Sequence, residues 1–327
     1  MSYSFFGTCF NDYTQLFDCL RSISNQTIIP KEIILVNSGD TNIEKEIINK
    51  FNSKKIKIVY IHEKLTRVKS LNLALSKSSS KYSFRFDTRS RFTPEYAEKA
   101  LDILENKELN ASVVGGVPNI VSSINKYEAN LCAEIMKRSY IYFYPKHRDV
   151  NYSGYSSSIY LGCFSTPILK KIKFNEKEAL LSEDSLIIND FLDKGFKAYI
   201  SSTIKVSYVC RSSFKNILKL FNTYGYCRAN TILISKKLFI SKRHFLVSFA
   251  LIIFSIFLLK ISIAYLFFIP FSLLIFNFCN EILFYKKSFN FFVPIYGTLC
   301  QISWILGFSW SLISIFKNKE LKSNFIN

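Results

Sequence analysis

Asp87 closes the short run Phe84-Arg85-Phe86, and three arginines, Arg85, Arg89 and Arg91, stand close to it. One carboxylate among several guanidinium groups suits a site that handles an anion, either directly or through a metal ion. The same residues also read as an acidic surface turn paired with its neighbours. A second acidic stretch, Ser182-Glu183-Asp184, precedes Leu186, Ile187, Ile188, Phe191 and Leu192 and opens a helix. A carboxylate at a helix N-terminus has a lowered pKa, stays ionised, and can take a proton from a hydroxyl nucleophile. Acids at that place also simply suit the helix dipole. Arg67 and Lys69 can face a pyrophosphate or belong to a solvated first helical turn. The stretch Tyr152 to Ser158, followed by Tyr160-Leu161-Gly162-Cys163-Phe164, sets glycine and serine between aromatics, which lets a ligand come close to the backbone.

The elements that must position these groups alternate. Tyr3 to Cys9 reads as a buried strand, followed by a helix with Leu16, Cys19, Leu20 and Ile23 on one face. Glu32 to Val36 is a second strand, ending in Asn37-Ser38-Gly39-Asp40, and its helix has Ile43, Ile47 and Ile48 inward. Ile56 to Ile61 is a third strand. Arg67 to Leu75 is a helix with Val68, Leu71 and Leu75 on one side, and Tyr82 to Phe86 is a fourth strand. After a helix opened by Pro94, Ala111 to Val117 is a fifth. Strands alternating with helices imply an α/β fold with a mostly parallel sheet covered on both faces. The C-terminal strand ends then share one edge, bringing Thr8, Asn11, Asn37 to Asp40, His62, Glu63 and Asp87 to one crevice.

No G-x-G-x-x-G follows the first strand and no G-x-x-x-x-G-K-[ST] occurs, so Rossmann dinucleotide chemistry and P-loop phosphate binding lose support. The eight cysteines contain no C-x-x-C pair and the three histidines do not cluster with them, which argues against a zinc site or a disulfide framework. A formal charge of +19 points to anionic partners. Nucleic acid is not the expected one, since no binding module is present and the second part of the chain is strongly apolar. Phe245 to Leu259, Ile261 to Phe278 and Phe289 to Phe316 are apolar runs near the length that spans a bilayer. Two to four spans are expected within 244–316, three being the central expectation. Lys236, Lys237, Lys242 and Arg243 place the start of the first on the cytoplasmic side. Ser213 to Arg228 reads as an amphipathic helix, either in the membrane interface or packed on its own domain. The N-terminus lacks the regions of a signal peptide, so the first part is expected in the cytoplasm.

With these features in order, the chain resembles the family 2 glycosyltransferases of GT-A fold, in particular bacterial membrane-bound enzymes of exopolysaccharide assembly of the succinoglycan type. The resemblance covers about residues 1 to 235. It rests on Thr8-Cys9-Phe10-Asn11, on Ile33 to Thr41, and on Arg67 with Leu71-Asn72. It rests also on Arg85 to Arg91, Gly115-Gly116, Gly154 to Phe164, Ser182-Glu183-Asp184, and Tyr224 to Arg228. It implies a GT-A domain at 1–235, with a nucleotide-sugar half at about 1–120, an acceptor half at about 121–235, an interfacial helix at about 213–230, and C-terminal transmembrane helices. It further implies Mg²⁺ or Mn²⁺ held by Asp87, and a general base at Asp184. On the donor side it places Thr8, Asn11, Asn37, Asp40, Arg67, Asn72, Arg89 and Glu183.

The chain departs from the family at three points. The usual D-x-D is Asp87-Thr88-Arg89, and because arginine cannot ligate a metal, Arg89 is expected on phosphate. Asn37-Ser38 replaces the paired acids of the base-binding loop. Asn222-Thr223-Tyr224-Gly225 stands where processive synthases carry Q-x-x-R-W, which favours addition of one sugar per acceptor. The expected function is inverting transfer from a nucleotide-sugar donor to a lipid-linked or saccharide acceptor, in cell-surface polysaccharide synthesis. The enzyme would sit among the lipids of the inner (cytoplasmic) membrane, multi-pass, with its catalytic domain toward the cytoplasm. Transfer to a polyprenyl phosphate, or a non-catalytic role as a membrane scaffold of a polysaccharide assembly complex, are the alternatives.

Overall fold

A computed structural model describes residues 2–53, 55–176, 182–235 and 268–316. By internal contacts the chain divides into two units. One is Met1–Asn119, Lys146–Ala179 and Glu183–Val209; the other is Ile120–Pro145, Leu180–Ser182 and Cys210–Asn327.

The first unit is a mixed, mostly parallel sheet between two helix layers. Its strands are β1 (Tyr3–Cys9), β2 (Glu32–Asn37), β3 (Lys57–His62), β4 (Tyr82–Asp87), β5 (Ser90–Phe92) and β6 (Ala111–Gly115). A strand β7 follows at Pro118–Val121, then β8 (Gly154–Tyr155), β9 (Cys163–Ser165), β10 (Lys197–Ile200) and β11 (Val206–Val209). The main sheet has the order β3-β2-β1-β4-β9-β6-β10-β8. β1 lies between β2 and β4 and runs parallel to both, so the strand order reverses beside it. Ligand crevices open at the carboxyl ends of strands around such a switch point. In register, Thr8 lies opposite Asp87 on β4, and Cys9 opposite Asn37 on β2.

Two features differ from the sequence reading. β9 is antiparallel to both β4 and β6, and with three residues it is too short to leave a periodic signal. β6 stops at Gly115 rather than running to Val117, and the backbone of Gly116 lies so close to the Ile204 carbonyl that a Cβ there would stand 2.1 Å from its oxygen.

One face of the sheet is covered by α1 (Tyr13–Ser24), α2 (Glu44–Phe51) and α4 (Tyr96–Glu105), through Leu16, Leu20, Ile47, Ala97 and Leu101. Ile48, expected inward on α2, faces out, and Phe51 takes the inner position one turn on. The other face is covered by α3 (Arg67–Lys77), α6 (Thr166–Ile172) and α7 (Glu183–Asp193), through Val68, Leu71, Leu75, Leu169, Ile187 and Phe191. Strand alternation therefore sorts β4. Tyr82, Phe84 and Phe86 join the first core, and Arg85 turns to the α3 and α7 side.

The second unit is helical. It contains α5 (Tyr127–Lys137), α8 (Phe214–Ser235), α9 (Phe268–Phe284) and α10 (Phe292–Phe316). α8 and α10 meet backbone to backbone. A Cβ on Gly225 would lie 2.0 Å from the Trp304 carbonyl oxygen, and one on Gly307 would lie 2.1 Å from that of Asn222. Among the described residues one helix, over Phe292–Ser314, is long and apolar enough to cross a membrane, and Pro270–Phe284 is a shorter apolar helix. The expected run Phe245 to Leu259, and the start of the run from Ile261, lie outside the described residues.

Inside this unit Arg138 and Glu281, 3% and 0% exposed, form a two-pronged ion pair at 2.9 and 2.8 Å. Tyr140 donates to the same carboxylate at 2.9 Å, and the Arg138 guanidinium stacks over the Tyr285 ring at 4.3 Å. Asn277 donates to Thr298 and Gln301 nearby in the sequence of α9 and α10.

Candidate active site

At the carboxyl end of β4 the structure joins residues from three elements of the first unit. The first residue of α3 is Arg67, the first of α7 is Glu183, and β4 ends in Asp87. Arg67 Nη2 donates to both oxygens of Asp87 at 3.0 Å, and Arg67 Nε donates to Glu183 Oε1 at 2.7 Å. Arg85 Nη2 reaches the same Glu183 oxygen at 3.0 Å and lies 3.5 Å from Asp87 Oδ1. Two arginines thus hold two carboxylates that are far apart in the chain.

The electrostatics follow from this knot. Burial works to raise the Asp87 carboxyl, but Arg67 and Arg85 outweigh it and hold the group below the usual carboxylate range. Glu183 behaves in the same way for the same reason. Asp184 goes the other way. Crowding by surrounding protein, and then the negative charge of Glu183, push it up to about 6. The helix-terminus argument from sequence predicted the opposite sign; here desolvation and a like charge next door win over the dipole. Two adjacent acids with divided pKa values make one a fixed anion and the other a group poised to exchange a proton.

A second polar group lies beyond β1 and β2. Asn11 donates to Asp40 Oδ2 at 2.8 Å and accepts from the Asp40 backbone N–H at 2.9 Å. Lys64 approaches Asp40 on the solvent side, and Asn11 first, then Lys64, holds the Asp40 carboxyl below its usual range. Asn37 is fully buried. Its amide donates to the Thr41 carbonyl and the Tyr60 hydroxyl and accepts from Gly39 N–H, so it shapes the loop from within. His62 bonds the Gly39 carbonyl at 2.9 Å. Gly39 is required by close approach, since a Cβ there would lie 2.5 Å from both Asn11 Oδ1 and Tyr13 Oη.

The remaining predicted residues are placed as follows. Thr8 is nearly buried beside Asp87 in the β1–β4 register. Arg89 does not meet Asp87 through its side chain; it pairs with Asp12, Nε to Oδ2 at 2.9 Å. Asn72 gives both ends of its amide to the 174–176 segment, donating to the Phe174 carbonyl and Glu176 and accepting from Phe174 N–H. Sequence reasoning set Arg85 beside Asp87 without assigning it a partner, and it missed Asp12. For Arg85 the signal was available: a charged residue in the interior of an otherwise apolar strand is costly unless paired.

A divalent ion is compatible with the donor set at Asp87. No group of three or more His, Cys, Asp or Glu side chains that could hold a metal occurs among the described residues. A single carboxylate is still the kind of site Mg²⁺ uses when waters and substrate phosphates supply the other ligands.

Comparison with known proteins bears on this geometry. Residues 4–166 match the family model described as glycosyl transferase family 2. The chain is 26% identical over 237 residues to a dolichyl N-acetyl-alpha-D-glucosaminyl phosphate 3-beta-D-2,3-diacetamido-2,3-dideoxy-beta-D-glucuronosyltransferase of Methanococcus voltae, covering 66% of this chain and 69% of that one. It is 33% identical over 102 residues to an uncharacterized glycosyltransferase of Haemophilus influenzae, covering 30% of this chain and 31% of that one. Among solved structures, a mannosyltransferase from Pyrobaculum calidifontis in complex with GDP-Man and Mn²⁺ superposes with a TM-score of 0.59 at 12% identity. That match covers 97% of this chain and 88% of the other, and it shows the fold.

Proposed function

We propose that this chain, whose residues 4–166 are a glycosyl transferase family 2 domain and which is on that ground a glycosyltransferase, moves a sugar with inversion. The donor is a nucleoside-diphosphate sugar and the acceptor a lipid-linked or growing saccharide. The observation that carries this reading is the knot of Arg67, Asp87 and Glu183, which sets an anion-handling strand end beside the acidic first turn of α7. The named activity of the Methanococcus voltae relative, on a dolichyl-linked sugar phosphate, supports a lipid-linked acceptor.

In this mechanism Asp184 accepts the proton of the acceptor hydroxyl. The freed oxygen attacks the anomeric carbon from the face opposite the diphosphate, the bond from that carbon to the phosphate oxygen breaks, and the nucleoside diphosphate leaves. Asp87 would hold a divalent cation, which would supply positive charge to offset the negative charge developing on the leaving group. Glu183, held ionised by two arginines, keeps Asp184 proton-accepting near neutral pH. Arg89, tied to Asp12, orders the loop after β4.

The test is turnover of a panel of UDP-, GDP- and dTDP-sugars with membrane lipid extract as acceptor, read as nucleoside diphosphate release and as the anomeric configuration of the product. One donor is expected to turn over with inversion. Retention, or no turnover with any donor, would sink the reading.

Two predictions arise at the site. A base works only when ionised, so kcat is expected to fall as pH drops through about 6, the value to which Asp184 is pushed. Glu183→Gln removes the neighbouring negative charge and should move that acid limb to lower pH; a limb that stays in place in a pH–rate profile counts against the assignment. Arg67 bonds both Asp87 oxygens, so its charge and contacts compete with a cation for Asp87. Arg67→Gln should therefore bind Mn²⁺ several-fold more tightly than the parent without nucleotide, measured by the EPR signal of free Mn²⁺. Equal affinity would show that Arg67 does not compete for Asp87.

We assign the second unit to the membrane. Phe271, Leu283 and Phe284 on α9, with Leu306, Trp310 and Ile313 on α10, are exposed apolar side chains on helices of that unit. Such a surface suits lipid. The multi-pass arrangement in the inner membrane, with the first unit on the cytoplasmic side, rests on the lysine and arginine pattern of the sequence.

A further inference from the structure

We propose that Arg85 is the positioning residue of this site. From the strand that carries Asp87 it grips Glu183 and so fixes the first turn of α7, on which Asp184 stands. The inference rests on the reading of Asp184 as base.

Three observations carry it. Arg85 is 2% exposed, whereas Arg67, the other arginine on Glu183, is 45% exposed. An arginine that faces solvent can exchange partners when a ligand arrives; a buried one keeps its geometry. Arg85 also reaches both carboxylates from inside the sheet, at 3.0 Å from Glu183 and 3.5 Å from Asp87. Its position on β4 faces away from Phe84 and Phe86, which forces it to the side where α7 begins.

The third observation separates positioning from plain stability. Arg85 Nε and Nη1 are buried and have no hydrogen-bond partner among the described residues. The guanidinium meets instead the ring of Phe174 at 5.8 Å. Burying unmet donors on a charged group is expensive, and an apolar side chain would fill the same space at lower cost. A strand built for stability alone would carry leucine or methionine here. What arginine adds is a short, rigid link between the acid at the strand end and the acid that precedes the base.

The test compares Arg85→Met and Arg85→Lys with the parent, using whichever donor turns over fastest in the panel above and the matching nucleoside diphosphate with Mn²⁺ as binding probe. A small misplacement of a reacting group costs about 100-fold in rate. Arg85→Met is therefore expected to lose kcat by that order, per molecule able to bind nucleotide, while donor KM changes less than about threefold. Arg85→Lys, which keeps the charge but not the fork, is expected to recover part of the loss. An unchanged kcat, or a loss shared equally between kcat and KM, overturns the proposal. If Arg85→Met does not fold, Glu183→Gln reads the same link from the other end: it should lower plateau kcat well above pH 6, and a normal plateau overturns the proposal. Asp184→Asn tells the two claims apart. Activity retained in that variant removes the base itself, whereas a dead Asp184→Asn beside a normal Arg85→Met removes only the role of Arg85.

Discussion

Asp184→Asn is expected to lower sugar transfer by about 10²–10⁴-fold, the share that a positioned general base contributes. Nucleotide binding should stay within a few-fold of the parent, because the proposed donor-side groups Arg67 and Asp87 remain. The substitution keeps size and removes only the proton-accepting charge. It also removes a group that already sits near its working range: crowding and Glu183 hold it at about 6, so it is ionised at neutral pH yet basic enough to take a proton. Transfer at the parent rate in Asp184→Asn would mean that the acceptor arrives already as an anion. A polyprenyl phosphate fits that outcome, since a phosphate oxygen needs no base.

The second large effect concerns the helical unit. Glu281 is fully buried and receives three hydrogen bonds from Arg138 and Tyr140. Glu281→Ala should destabilise that unit by about 3 kcal/mol, because the buried Arg138 loses its two-pronged partner and keeps only the part-exposed Glu134, 2.7 Å from Nη1. The double replacement Arg138→Met with Glu281→Leu removes both charges together and should recover most of the loss. Thermal unfolding in detergent reads both. A single substitution that costs as little as the double one would show that the pair is solvated. The pair ties the end of α5 to α9, two elements far apart in the sequence.

How much of this was legible beforehand differs by element. Parallel strands are short apolar runs, so the buried β1, β2 and β4 and the half-exposed edge strand β3 could be read from the sequence and placed on one edge. α1 and α3 bury the residues their spacing selects. α2 does not, because its inner stripe passes through Phe51 and leaves Ile48 outside. β8 and β9 have two and three residues and carry no period at all. At the site, Asp87 and Glu183 were visible as acids in telling places. Their union was not, since the link is made by Arg67 and Arg85, 116 and 98 residues from Glu183. Arg89 shows the same limit in reverse. Its place two residues after Asp87 suggested a role on phosphate, and nothing in that place announced its pairing with Asp12 in the loop after β1. In the helical unit, apolar composition announced α9 and α10 and said nothing of the Arg138–Glu281 pair inside them.

In the proposed function the end of β4 receives the diphosphate of a nucleotide sugar with a divalent ion at Asp87. The most direct measurement is calorimetric titration of the full chain with UDP, GDP and dTDP, each with and without Mn²⁺, repeated on Asp87→Ala. One nucleotide is expected to bind, Mn²⁺ to strengthen its binding, and Asp87→Ala to abolish the strengthening. Nucleotide binding that ignores Mn²⁺ and survives Asp87→Ala unchanged, or no nucleotide binding at all, would contradict it.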